Sequence, residues 1–342
     1  MSALDERATA LDAFIQAAGW EDAERSPLQA DASFRRYIRL RNTASSHSIM
    51  IMDAPPPKED IRPFVKVATH IKENGFSSPE IYFEDIANGF LALEDFGQDT
   101  FTQLLARGVN ESELYTAAIK TLAAMHNNDH FGALSVPHYD QAYLLEEVDI
   151  FVDWYYPEIS GREISPQERE EYYEAWRRVF EDIPPLRPTL VLRDFHVDNL
   201  MLLPDRDGVA RCGLLDFQDA LIGSPAYDVA SILEDARRDI SSDFRDEMLN
   251  EYFQLCPKIN SLDFMLAYKI LSAQRHTKII GIFSRLHKRD NKAGYLKHLP
   301  RVVQYLHMHL QDPALKPVKD WFDKTCPTFR ELPASLTGRK DD

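Results

Sequence analysis

Residues 191–201 read VLRDFHVDNLM, and residues 214–220 read LLDFQDA. The two stretches place an Asp at 194, an Asn at 199 and a second Asp at 216, each beside a short apolar run. We expect Asp194 and Asn199 on a tight loop at the end of a hairpin, and Asp216 at an adjacent strand end. One Asp free to accept a proton, with Asn and Asp oxygens to hold Mg²⁺ against ATP phosphates, is the set of groups that phosphoryl transfer needs.

Composition limits the classes of protein to consider. The chain has 342 residues with 44% apolar content, enough for one large core or two smaller ones, so two lobes are expected. Its formal net charge of −16 argues against a nucleic-acid partner, because phosphate backbones are bound by clustered Lys and Arg. The three cysteines are far apart and indicate neither disulfides nor a zinc site. Without an apolar membrane span or a secretory signal, we expect no membrane partner and a cytoplasmic location.

The N-terminal third shows one helix, four strands and a second helix. MSALDERATALDAFIQAAGW (1–20) predicts an amphipathic helix that ends at Gly19, and KEDIRPFVKVATHIKENG (58–75) predicts another helix. The strand-like runs are FRRYIRL (34–40), SIMIMDA (48–54), EIYFED (80–85) and GFLALED (89–95). From Thr100 onward helical patterns dominate, with short strands at TLVLR (189–193), NLMLL (199–203) and ARCGLLD (210–216). These patterns predict an α+β fold with an antiparallel sheet lobe before a larger helical lobe.

The opening motifs resemble a known family. RDFHVDN (193–199) resembles the catalytic loop of the protein-kinase-like superfamily, and LLDFQDA resembles its metal-binding DFG segment. GSPAYDVASILED (223–235) is similar to the G-x-P-x-x-D helix start of the aminoglycoside phosphotransferase branch. Phrases such as IMDAPPPKED (51–60) and KIIGIFSRLHKRD (278–290) look like bacterial anomeric sugar kinases that act on N-acetylmuramate and N-acetylglucosamine. The resemblance covers nearly the whole chain.

The resemblance implies a two-lobed protein-kinase-like fold that uses ATP and Mg²⁺. Residues 1–95 would form the nucleotide-binding lobe, and residues 96–342 the catalytic and substrate-binding lobe. By the same resemblance, Asp194 is the general base or the carboxylate that orients the acceptor hydroxyl, and Asn199 and Asp216 are the Mg²⁺ ligands. Asp228, by the same resemblance, braces the catalytic loop from a helix start, and an N-cap role and a direct chemical role are the open alternatives.

Two departures from the family pattern need a structural answer. Leu192 stands where the superfamily often carries His, so the loop that bears Asp194 must be braced from elsewhere. The run SIMIMDA (48–54) has no Lys where the phosphate-binding Lys is expected.

An arginine of the preceding strand could replace that Lys, since Arg binds phosphate bidentately. The candidates are Arg35, Arg36 and Arg39. Alternation along the strand puts Arg36 on one face with Phe34 and Ile38, the more apolar face, which we expect to turn inward. We therefore predict that Arg36 contacts the phosphates. The other possibility is that these arginines only solvate an exposed face.

Two further segments are predicted to contact the nucleotide. QADASFRR (29–36) lies where the superfamily has its phosphate-covering loop, with Ser33, Phe34 and Arg35 as candidate contacts. LALEDFG (91–97) is placed like the hinge between lobes, where the backbone of Glu94 and Phe96 would pair with the adenine edge.

The acceptor site is less well defined by the sequence. The basic segment 274–301 contrasts with the acidic segment 141–185, and its charges are either a solvated helix face or cleft groups that suit an anionic sugar. Six candidate substrate contacts each have a second, structural interpretation as surface, solvated or core groups. They are His196, Asp198, Trp154, Tyr155, Arg275 and Arg285.

The sequence thus predicts an ATP-dependent kinase of the anomeric hydroxyl of N-acetylmuramate and N-acetylglucosamine, a step of cell-wall sugar recycling. Two alternatives stay open at this stage. One is a kinase of an aminoglycoside, choline, homoserine or a fructosamine. The other is a nucleotide-binding pseudokinase that acts as an interaction module, since the usual Lys and His are missing. The oligomeric state is not predicted.

Overall fold

The computed structural model describes residues 3–28, 34–45 and 47–337. Its strands are β1 (Glu24–Pro27), β2 (Arg36–Arg41), β3 (Ser48–Asp53), β4 (Ile81–Asp85), β5 (Phe90–Glu94), β6 (Thr189–Val191), β7 (Leu200–Leu202), β8 (Cys212–Leu214) and β9 (Leu221–Gly223). Its helices are α1 (Ala3–Ala17), α2 (Arg62–Glu73), α3 (Phe101–Ala106), α4 (Glu111–Asn127), α5 (Asp129–Gly132), α6 (Gln141–Trp154), α7 (Tyr156–Ser160), α8 (Pro166–Glu181), α9 (Ala226–Leu233), α10 (Ser242–Leu255), α11 (Ser261–Lys288), α12 (Leu299–His309), α13 (Lys316–Thr325) and α14 (Ala334–Thr337).

The described residues fall into two compact units. The sheet unit holds the chain up to Ala117 together with Val197–Ala220, and the helical unit holds Ala118–His196 together with the chain from Leu221. The chain therefore leaves the helical unit within the predicted catalytic loop, between His196 and Val197. The lobes predicted from sequence, residues 1–95 and 96–342, stay a prediction.

The sheet unit is built on a five-stranded antiparallel sheet in the order β1-β2-β3-β5-β4. Helix α1 covers one face of it, because Phe14 and Ile15 pack with Leu40, Ile49 and other apolar side chains of β2, β3 and β5 in one buried cluster. The four predicted strands and both predicted helices of this region are confirmed. Strand β1 was not predicted, since its sequence ERSP is fully exposed and has no apolar pattern.

Two small sheets follow, and they correct the predicted hairpin. β6 pairs antiparallel with β9, and β7 pairs antiparallel with β8. The runs before and after the catalytic loop are therefore strands of different sheets, although they are neighbours in sequence. Pairing between residues distant in sequence overrides the local arrangement here, as it commonly does for strands only three residues long.

The helical unit is organised around α11, which packs against α6, α9 and α12. Gly281 of α11 lies at the crossing with α6, where a Cβ atom would come within 2.5 Å of the Ile150 backbone. Only glycine permits so close an approach of the two helices.

A sheet lobe followed by a mostly helical remainder confirms the predicted α+β class.

Two predictions about the surroundings of the chain can also be compared with the structure. None of the helices in the described part of the chain combines the length and the apolar character that crossing a membrane requires. Cys212, Cys256 and Cys326 are all buried free thiols.

Candidate active site

The loop that carries Asp194 follows β6 in the helical unit, and its backbone is fixed just before that residue. The N–H groups of Leu192 and Arg193 donate to the two carboxylate oxygens of Asp228, at 2.6 and 2.9 Å. Arg193 has a φ of 69°, a left-handed conformation that is uncommon for a residue with a side chain. The two hydrogen bonds therefore hold an unfavourable backbone conformation in place.

Asp228 makes the contacts that the sequence analysis expects of a brace. It lies in the first turn of α9 and is 1% exposed. The alternative role as N-cap is wrong, because Pro225 occupies that position and no side chain caps the helix. Burial raises the pKa of Asp228 to about 7, although the Leu192 and Arg193 N–H groups and the charge of Arg275 act in the opposite direction.

Asn199 and Asp216 meet at one end of the β7–β8 pair in the sheet unit. Leu200 pairs with Leu214, so the residue before β7 and the residues after β8 lie together. The Leu215 N–H donates to the Asn199 carbonyl at 3.0 Å, and the Asn199 amide nitrogen lies 3.4 Å from Asp216 Oδ2. The adjacency of these two predicted metal ligands follows from the strand pairing.

The surroundings of Asp216 leave its carboxylate accessible. Asp216 has a φ of 58°, and its side chain is 46% exposed. The next residue, Phe217, is buried and stacks on Phe64 of α2 with 5.0 Å between ring centroids, which anchors the segment. The Asp216 carboxylate and, with the Asn199 amide turned over, the Asn199 amide oxygen are hard oxygen donors of the type that Mg²⁺ takes, so the residue types present fit that ion.

The structure pairs Arg36, the predicted phosphate-site arginine, with another carboxylate. Arg36 does share a face with Ile38, but that apolar face packs against α1. Its guanidinium binds Asp53 at 2.6 Å, and Arg7 of α1 binds the same carboxylate. The inward direction of the apolar face was predicted correctly, but the element that covers this face is a helix.

Arg35 lies beside the predicted metal ligand instead. Its guanidinium is 3.9 Å from Asp216 and 3.5 Å from Glu59, and its side chain is 13% exposed. Arg39 is bound bidentately by Asp95 at 2.6 and 2.8 Å. Among the three candidates, Arg35 is therefore the cation placed next to Asp216.

Comparisons with known proteins show the family of the chain. The sequence profile of the phosphotransferase enzyme family, APH, matches residues 24–264. The chain belongs to this family. An N-acetylmuramate/N-acetylglucosamine kinase of Caulobacter vibrioides is 34% identical over 96% of this chain and 99% of that protein. A kinase of the same name from Pseudomonas aeruginosa is 38% identical over 85% of this chain and 86% of that protein.

The fold is also shared with solved kinases. A choline kinase from Streptococcus pneumoniae superposes with a TM-score of 0.61 over 89% of this chain and 99% of that one, at 12% identity. The predicted protein-kinase-like fold is thereby confirmed. The phosphotransferase is an ATP-dependent kinase, as its motifs predict.

Glu94 and Phe96, predicted to lie in a hinge, are partly engaged by other groups. The Glu94 N–H donates to the Glu80 carbonyl at 2.8 Å, so this donor is not available to adenine in the structure. The Glu94 carboxylate pairs with Arg206. Phe96 packs against Gly213, where a Cβ atom would come within 2.9 Å of the ring. Pairing of this segment with adenine stays a prediction.

The predicted phosphate-covering loop is described only at its end. Ser33 lies outside the described residues. Phe34 is 60% exposed, and its N–H donates to Glu59 at 3.0 Å, the carboxylate that also contacts Arg35. Glu59 was not singled out from sequence, because an acid in a Pro-rich turn gives no signal of this contact.

The two predicted substrate residues of the catalytic loop, His196 and Asp198, differ in burial. His196 is 5% exposed, and burial, with the charges of Arg237 and Arg275, lowers the pKa of His196 well below its ordinary value. It is therefore a neutral, buried side chain. Asp198 is exposed and accepts a hydrogen bond from the Thr102 hydroxyl near the start of α3. These surroundings do not test whether His196 or Asp198 binds the acceptor.

The remaining acceptor candidates divide by burial. Tyr155 is fully buried, and its hydroxyl donates to the Phe329 carbonyl at 2.5 Å, so its ring faces are not accessible to a sugar in this structure. Trp154 and Arg285 are half-buried. Arg275 is 3% exposed, and its Nε and Nη1 atoms make no hydrogen bond within the described residues. Arg275 is thus a buried cation and not part of a solvated helix face.

Proposed function

We propose that the phosphotransferase transfers the γ-phosphoryl group of ATP to the anomeric hydroxyl of N-acetylmuramate and N-acetylglucosamine, in the cytoplasm. The observation that carries this proposal is the identity of 34% and 38%, over most of the chain, to kinases that bear these two sugars in their names. The product would be a sugar 1-phosphate for cell-wall sugar recycling.

The chain's own residues supply positioning and charge. Asp194 would accept the proton of the attacking hydroxyl at a carboxylate oxygen, or hold that hydroxyl in line with the phosphoryl group. Asn199 and Asp216 would hold Mg²⁺, which neutralises part of the phosphate charge when bound. Arg35, 3.9 Å from Asp216, would add the positive charge that the missing Lys supplies elsewhere in the superfamily.

Arg275 does not decide among the possible acceptors. It is 3% exposed, and its charge acts on the buried Asp228 carboxyl, where it opposes the rise in pKa that burial causes. The choice of acceptor therefore rests on the identity to the two named kinases.

The test is a substrate panel with the purified protein and Mg·ATP. The panel includes both sugars, their 1-O-methyl glycosides, an aminoglycoside, choline, homoserine and a fructosamine, with the product identified by phosphorus NMR. We expect turnover of the two free sugars and none of the methyl glycosides, whose anomeric oxygen is blocked. Turnover of the glycosides would exclude the anomeric assignment. ATP binding without turnover of any compound would favour the interaction module.

A further inference from the structure

A buried carboxylate of α6 collects four hydrogen-bond donors next to the catalytic loop. Glu147 is 6% exposed and accepts from Arg193 at 2.5 Å, from Lys278 at 2.8 Å and from Gln274 at 2.9 Å. The Tyr139 hydroxyl donates to its second oxygen as well. A carboxylate with this many donors is fully satisfied, so it can lie away from water without an unpaired lone pair.

These contacts connect segments that are far apart in sequence. Glu147 lies on α6, Gln274 and Lys278 lie on α11, and Arg193 is the residue directly before Asp194. The pair Glu147–Lys278 spans 131 positions, and the pair Glu147–Arg193 spans 46. The side chain of Arg193 is therefore attached to the packed helices while its N–H is held by Asp228.

The charges in this cluster keep Glu147 ionised. Burial raises the pKa of Glu147, but Lys278 and Arg193 lower it more, to a net value of about 2. Glu147 is thus ionised at all physiological pH values. Two cations share this one carboxylate, so its loss would leave both of them buried and uncompensated, which is strongly destabilising.

We propose that Glu147 is a positioning residue for the reaction, which acts by clamping Arg193. Arg193 has the left-handed backbone conformation, and its side-chain anchor adds to the Asp228 hydrogen bonds in keeping this residue, and the Asp194 that follows it, in one orientation. The clamp supplies the bracing that Leu192, in place of the family's His, cannot give. This inference rests on the proposed kinase reaction, in which Asp194 meets the acceptor hydroxyl.

The test releases the clamp in two ways, the first of which leaves the Glu147–Lys278 pair intact. Arg193→Met leaves Glu147 paired with Lys278, and Glu147→Gln combined with Lys278→Met keeps the summed charge of the cluster unchanged. For both proteins we expect kcat to fall at least about thirtyfold while the KM for ATP changes by less than about threefold, because a misplaced catalytic group costs turnover more than binding. Combining all three substitutions should lower kcat no further than Arg193→Met alone.

A matched control separates catalysis from stability. Glu168→Gln breaks the bidentate Arg162–Glu168 pair of the same unit, at 2.9 and 2.6 Å, and should lower the Tm while kcat is retained. Unchanged kcat in Arg193→Met, or additive losses in the combined variant, would overturn the clamp.

Amide hydrogen exchange tests the clamp without any substrate. The peptide that contains residues 192–196 should exchange faster in Arg193→Met than in the wild type, and equally fast in Glu168→Gln and the wild type. This measurement remains informative if the wild type phosphorylates neither sugar, so failure of the proposed function and failure of the clamp are distinguishable. Unchanged exchange in Arg193→Met would contradict the clamp.

Discussion

Arg193 and Asp216 both have left-handed backbone conformations beside short strands, yet their surroundings are opposite. Arg193 is held at both ends, since its N–H binds buried Asp228 and its guanidinium binds buried Glu147. Asp216 keeps a side chain that is 46% exposed, with the Gln218 amide at 2.9 Å. A residue that acts by keeping its neighbour in one orientation needs its own contacts in place before the substrate binds. A group that binds an ion must keep its oxygens accessible.

The strongest test of this contrast is Asp194→Asn, which keeps the shape of the oriented group and removes its charge. We expect kcat to fall at least about a hundredfold while ATP affinity is retained, because general-base and orienting groups typically contribute that much. Single-turnover kinetics and nucleotide titration measure the two quantities separately. Turnover at the wild-type rate would remove Asp194 from the mechanism.

For the ion-binding side of the contrast, Asp216→Ala should remove the Mg²⁺-dependent part of ATP binding. The carboxylate is the one charged member of the predicted ligand pair, so the loss should be at least about thirtyfold in affinity. Calorimetry with and without Mg²⁺ gives this difference, and ATP binding without Mg²⁺ should be little altered. Equal Mg·ATP affinity in the variant and the wild type would contradict the assignment.

A finer test uses the two neighbouring arginines of the sheet unit. Arg35→Ala should raise the KM for ATP about tenfold, the cost of one charge-assisted contact of roughly 1.5 to 3 kcal/mol. Arg36→Ala is the matched control, because its guanidinium binds Asp53 on the face that α1 covers. It should leave the KM for ATP unchanged. The reverse result would show that Arg36, and not Arg35, is the phosphate-site cation.

The smallest expected effect concerns the pH dependence of stability, which we attribute to the buried His276 of the helical unit. Burial lowers the pKa of His276 to about 4, although its hydrogen bond to Glu234 acts in the opposite direction. In the unfolded chain His276 takes up a proton below about pH 6.5, whereas in the folded chain it does so only near pH 4. The unfolded state therefore binds more protons between these two pH values, and the free energy of unfolding decreases as the pH falls.

Between pH 7 and pH 5.5 this single group should cost on the order of 1 kcal/mol of unfolding free energy. Urea unfolding of the wild type and of His276→Gln at the two pH values isolates the contribution, since Gln cannot titrate. If both proteins lose the same stability, His276 is not the titrating group.

Local patterns predicted the parts of the fold that depend on neighbouring residues. The helix that ends near Gly19 and the strands of the first sheet follow from apolar periodicity. The spacing of Asp194, Asn199 and Asp216 indicated phosphoryl transfer, and the resemblance of the segments around them to a known superfamily implied the kinase-like fold. Each of these signals lies within a short stretch of sequence.

The remaining features depend on contacts that no local pattern contains. β6 pairs with β9, which follows the whole β7–β8 region in sequence. The predicted hairpin between the runs before and after the catalytic loop was therefore wrong. The pairing of Arg36 with Asp53 under α1 was not predicted, because the sequence does not show which element covers an apolar sheet face. Glu147 and Lys278 were visible only as members of an acidic and a basic segment, and their pairing requires the packing of α6 on α11.

The glycine at the crossing of α6 and α11 gives this packing a chemical consequence. A methyl group at Gly281 would collide with the Ile150 backbone at 2.5 Å, so the helices would have to separate. The carboxylate of α6 and the ammonium of α11 lie one helical turn from that crossing and would be drawn apart with them. Natural selection for turnover would therefore act on a position that has no side chain and touches no substrate.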